Sequence, residues 1–123
     1  MRLKGTVVIK LGNSKRRYQN RIVQTGLHWL LDLAVNASGN ALTHIAVGDG
    51  TGEPAFGDTR LVNERARKAL SAKYRDAETL IAEAFFDRLE ANFTWKEAGL
   101  IAGGTDVLGT GVLVARALID EAK

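Results

Sequence analysis

The chain has 123 residues, 46% of them apolar and 25% charged, with a net charge of +3 and no cysteine. This is ordinary globular usage for one domain, 1–123, able to bury its own core, and it excludes disulfides, thiol catalysis and cysteine-based zinc sites. No apolar run approaches the roughly 20 residues of a membrane span and the first residues do not read as a signal peptide, so a soluble, unprocessed chain without a membrane partner is expected.

Residues 3–11 alternate around Val7, Val8, Ile9 and Leu11 and stop at Gly12-Asn13-Ser14, which predicts a first strand. The basic segment 15–19 that follows is either a second short strand or an exposed connection. From Asn20 the period changes: Val23, Leu27, Leu30, Leu31 and Ala34 form a helical stripe, and Asn36 to Asn40 supply stop signals, so one helix is expected at about 20–36. Gly26 inside it points to close backbone approach or to a helix starting near Thr25.

Leu42–Val47 reads as a strand ended by the glycine-rich run 48–52, and the irregular loop to Gly57 carries the single proline, Pro54. Residues 61–67 suit either one helical turn or the start of a strand. Residues 66–76 and 79–86 read as two strands around a tip at 76–78. A final hairpin pairs 94–101 with 107–118 around the turn residues Gly103 to Asp106. Its second strand points Leu108 and Leu113 one way and Val112, Val114 and Leu118 the other, as a strand buried on both faces would. One helix set into a run of antiparallel strands predicts an α+β, mainly β fold: a β-sandwich or partly open barrel of about six to seven strands.

The loop 48–52 invites a phosphate site, but no lysine follows in the Walker pattern. Asp49, Glu53 and Asp58 have oxygen for calcium, but not the EF-hand spacing. His28 and Asp32 stand four apart on the expected helix without a nucleophile beside them. Neither enzyme chemistry nor a cofactor, metal or small-molecule substrate is therefore expected. Two basic series, Lys15, Arg16, Arg17, Arg21 and Arg65, Arg67, Lys68, Lys73, Arg75, raise nucleic-acid binding. The acids Asp76, Glu78, Glu83 and Asp87 on the neighbouring strand favour instead a charge-paired sheet face. Phe56, Trp29 and Trp95 are candidate interface aromatics, and Arg16 and Arg17 candidate interface cations.

Five segments recur in a familiar order: N-x-I-x-x-x-G-L at 20–27, I-A-V-G-x-G at 45–50, L-x-x-E-x-x-R at 61–67, E-x-G-L at 97–100 and L-x-A-R at 113–116. Together they resemble the tail-collar and tail-fibre attachment domains of tailed bacteriophages. The resemblance covers about 20–118 and implies a structural protein of the virion, without catalysis, commonly a trimer or part of a ring, that joins an appendage to the tail or baseplate through contacts with itself and other virion proteins. It draws attention to Gly48, Gly50, Glu64, Arg67, Glu97, Gly99 and Arg116. Glu64 and Arg67 are spaced to pair on a helical turn, and Glu97 needs either backbone N–H groups or Arg116. The chain lacks the shaft of longer relatives, so a short adaptor, collar or baseplate part is expected. A capsid decoration protein and a nucleic-acid-associated module are the alternatives.

Overall fold

The computed structural model describes residue 3, residues 5–35 and residues 40–123. Among these are eight strands, β1 (Gly5–Leu11), β2 (Ser14–Ile22), β3 (Leu42–Gly48), β4 (Glu64–Ala69), β5 (Ala72–Asp76), β6 (Thr79–Glu83), β7 (Thr94–Ala102) and β8 (Val112–Ala122), and one helix, α1 (Gln24–Ala34). Six strands form one antiparallel sheet in the order β1-β2-β8-β7-β3-β4, while β5 and β6 form a separate two-stranded ribbon. The mainly β, antiparallel, one-helix expectation is borne out, and the sheet does not close into a barrel.

Several boundaries differ from the sequence reading. Segment 15–19 belongs to β2, which continues through Asn20, Arg21 and Ile22 because these pair with Ala117, Arg116 and Ala115 of β8. The helix therefore begins at Gln24 and not near Asn20, and the stop signals 36–39 lie outside the described residues. Its Gly26 marks close approach, since a Cβ there would fall 2.6 Å from Val114 Cα. Leu61 precedes β4 as a buried loop residue, and 64–69 is strand and not a helical turn. Leu70 and Ser71 divide the expected strand 66–76 into β4 and β5. The last hairpin turns through 103–111, so Val107 and Leu108 are exposed loop residues.

The faces of the central strands follow from register. Val47, Ala98 and Ala117 stand opposite one another on β3, β7 and β8 and face one way. They bury against Ile9, Trp95 and Ile119, with Val7, Leu11 and Tyr18 of the β1–β2 hairpin and Phe86 from the loop before β7 closing the cluster. Ala46, Gly99 and Arg116 face the other way, and so does the Gly48–Glu97 pair. Over them lies the connection 49–63, which sends Leu61 into a cluster with Val23, Ala46, Ile101 and Leu113. α1 lies on β8: Thr25 Oγ1 donates to Leu113 O at 2.6 Å and Val23 N to Val114 O at 3.1 Å.

Candidate functional site

At the middle of that second face sits a pair of opposite charges out of water. Glu97 is 0% exposed and Arg116 1%. Such burial is costly unless every lone pair is answered, and for Glu97 it is. Its Oε1 accepts from Arg116 Nε at 3.0 Å and Val62 N at 2.8 Å, and its Oε2 from Gly50 N at 2.9 Å and Asn63 N at 2.7 Å. Arg116 in turn donates from Nη1 to Gly52 O at 3.0 Å and approaches Asp58 Oδ2 at 3.5 Å, while its Nη2 has no protein partner.

The glycines explain how backbone comes so close. A Cβ on Gly48 would stand 2.7 Å from Glu97 Oε2 and 2.8 Å from the Asn63 carbonyl carbon, and one on Gly99 would stand 2.9 Å from Leu113 and Leu61 side chains. A carboxylate with four donors has no free acceptor position for a substrate. It holds the two ends of the 49–63 connection, Gly50 and Val62-Asn63, at one point, and Arg116 holds the middle.

A second centre fixes the other long loop. Arg67, 1% exposed at its side chain, pairs with Glu64 and sends Nη1 to Thr105 O and Thr110 O, each at 3.0 Å, while Gly109 N donates to Glu64 Oε1. The i, i+3 pair exists on a strand and not on a helical turn, made possible by the β-bulge opposite Val47 and Gly48. Thr110 Oγ1 accepts from Thr105 N at 2.9 Å and closes the loop on itself. The backbone of 103–111 is thereby pinned while Val107 (66% exposed) and Leu108 point outward; Val62 (63%) is likewise exposed at the end of the 49–63 connection.

The remaining sequence candidates disperse. Phe56 is exposed in the 49–63 connection and its carbonyl accepts from Gln24 N at the start of α1. Trp29 packs beside Leu42, Ala102 and Val114 and donates to Asn40 O, and Trp95 is core, edge-on to Phe86. Arg16 lies over Glu121 and the Asp120 carbonyl, and Arg17 points away from the sheet into solvent. His28 and Asp32 form no pair, whereas His44 meets Asp106 at 2.9 Å. Asp49 is engaged by Asn63 and Arg65, and its acidity is strengthened, first by the Asn63 hydrogen bond.

The charge-paired face expected between 65–75 and its neighbour does not form. Register places Lys73 opposite Ala82 and Arg75 opposite Leu80, and Lys68 pairs with Glu90 instead. The Arg67–threonine clamp escaped the sequence reading; its one trace is Thr105 and Thr110 flanking the glycines of the last turn. The pattern of a protein family described as phage tail-collar fibre protein, N-terminal, matches residues 15–116. Comparison with curated proteins and with solved structures finds no match.

Proposed function

The chain belongs to the phage tail-collar fibre protein N-terminal family, and from that premise we propose that it is an adaptor of the tail, a collar or baseplate part that joins an appendage through protein contacts and acts without catalysis. One observation carries the reading: the charged and glycine residues of the family-like segments are turned inward, where they fix two long loops as rigid shapes. Glu97 and Arg116 fix 49–63, and Glu64 and Arg67 fix 103–111. Pinned loops that present Phe56, Val62, Val107 and Leu108 to solvent suit a docking part, because apolar side chains on a preordered backbone lose little freedom on binding. Contacts with further copies of the chain belong to the same reading.

The test is to disrupt the gene in its phage and examine purified particles, while an antibody locates the chain in the parent. Tails without their appendage, with label at the attachment end, are expected. Complete appendages without the chain, or particles that carry none of it, would overturn the proposal.

A further inference from the structure

All 14 carboxylates of the chain lie beyond residue 22, while the first 22 residues hold seven of its 17 cationic side chains. The fold gathers much of this asymmetry onto one surface. On the β1–β2 hairpin, Val7, Ile9 and Tyr18 face the core, so alternation sends Val8, Lys10, Lys15, Arg17 and Arg21 outward, all exposed. Lys10 stands directly opposite Lys15, an arrangement of like charges that weakens a ribbon. Among the described residues no carboxylate reaches Lys10, Lys15, Arg17 or Arg21; the ion pairs of the fold fall elsewhere.

The β5–β6 ribbon carries the complement. Lys73 donates to Leu42 O and Ala82 packs on the core, so this side faces the body. The other side presents Asp76, Glu83 and the half-exposed Tyr74, with no cation, and neither acid has an ion-pair partner among the described residues. The spacings agree as well. Arg17 and Arg21 are four residues apart on β2, about 14 Å at the rise of a strand. Asp76 and Glu83 occupy pairing levels four residues apart on β5–β6, also about 14 Å, with Tyr74 between them.

We infer that the outward face of the β1–β2 hairpin is a docking surface for a second copy of this chain, received on the acidic face of that copy's β5–β6 ribbon. The inference rests on the assembly role proposed above and names the surfaces that would serve it. Because the two patches differ, the contact is head-to-tail, and repetition builds a ring or an open row. Contact between opposite charges at the surface weakens as salt shortens the Debye length.

The test is sedimentation of the purified full chain and of two folded variants in low and high salt. One variant carries Lys10→Glu, Lys15→Glu and Arg17→Glu; the other carries Asp76→Lys and Glu83→Lys. The parent is expected to self-associate, with an apparent Kd rising about tenfold or more from about 0.05 M to about 0.5 M salt. Each variant alone should be monomeric, and the two mixed should associate again through their reversed charges. Neutral versions, Lys10→Gln with Lys15→Gln and Asp76→Asn with Glu83→Gln, give intermediate association and serve if a reversal fails to fold. A monomeric parent, salt-independent association, or variants that associate like the parent would overturn the inference. So would salt-sensitive binding of the parent to a random-sequence duplex DNA without self-association, which would make the β1–β2 hairpin a nucleic-acid surface. Labelling of particles reads the tail role separately, so a monomer found at the tail would remove this inference and leave that role standing.

Discussion

Glu97 and Arg116 on β7 and β8, and Lys10 and Lys15 on β1 and β2, are charges on adjacent strands of the same sheet with opposite surroundings. The first two are sealed from water and meet each other, Glu97 also accepting from three backbone N–H groups and Arg116 donating to Gly52 O. The second two lie in water opposite a like charge. Burial makes a charge intolerant of error, so the inner pair has one geometry and transmits it to the loop around it. Exposure makes a charge cheap to keep and free to engage whatever arrives. The family-like segments record the inner kind; Lys10 and Lys15, of the outer kind, lie outside them.

The largest effect should come from breaking the inner pair. Glu97→Ala leaves Arg116 buried without its carboxylate and frees the ends of the 49–63 connection, with an expected loss of about 3–5 kcal/mol in chemical denaturation. Replacing both, Glu97→Met with Arg116→Met, should cost less than the two single changes summed, since no lone charge is left behind. A loss under about 1 kcal/mol for Glu97→Ala would place the pair among ordinary surface interactions and erase the contrast with Lys10 and Lys15.

Arg67→Ala is expected to cost about 1.5–3 kcal/mol through lost charge-assisted hydrogen bonds, and its signature should be local. Amide exchange should accelerate over 103–111, where Arg67 holds Thr105 and Thr110, and remain slow on β7 and β8. Uniform acceleration would show that the clamp supports the whole sheet. Gly48→Ala should cost about 1–3 kcal/mol, because its Cβ would press on Glu97 Oε2 and the Asn63 backbone. Gly57→Ala, in open space on the same connection, should be nearly silent in the same assay.

How much of this was readable follows the range of each signal. Strand alternation at 5–11 and the two-sided burial of 112–118 are local properties, so β1 and β8 were legible. The helix start was legible only as one of two alternatives, about residue 20 or near Thr25, and the later one holds, with α1 starting at Gln24, because the long-range pairing of Asn20–Ile22 with β8 claims those residues as strand. The pairing of Glu97 with Arg116 was among the partners considered, since one position was an acid in an apolar strand and the other a neighbour-strand base. Backbone N–H donors were expected as the other way to satisfy Glu97, but that Gly50, Val62 and Asn63 supply them was hidden, since a loop's backbone carries no sequence mark of where it will be aimed. The charge pairing expected around β5 failed for a related reason: a break at Leu70-Ser71 shifts which residues face each other, and register is invisible to composition.

Acid should separate the two kinds of charge by a smaller margin. Asp49 and Glu90 are half-buried carboxylates and Asp120 an exposed one, all held below their ordinary values, Asp49 first by Asn63, Glu90 by Lys68 and Asp120 by Lys96. A carboxylate whose folded value is lowered binds its proton more readily in the unfolded chain. The stability it contributes is therefore complete above the ordinary value, 3.8 for the aspartates and 4.5 for Glu90, and drains away as pH falls through the lower folded value. Stability measured by denaturant should be level from neutrality to just above that range and then decline. Added salt should shallow the decline, because these pairs are screened. Asp120→Asn should remove its share of the slope and lower the neutral plateau by the same small amount, leaving the acid end unchanged. If the slope survives Asp49→Asn, Glu90→Gln, Asp120→Asn and added salt, the acid-sensitive charge is a fully buried one, and these three carboxylates contribute nothing to the fold's response to acid.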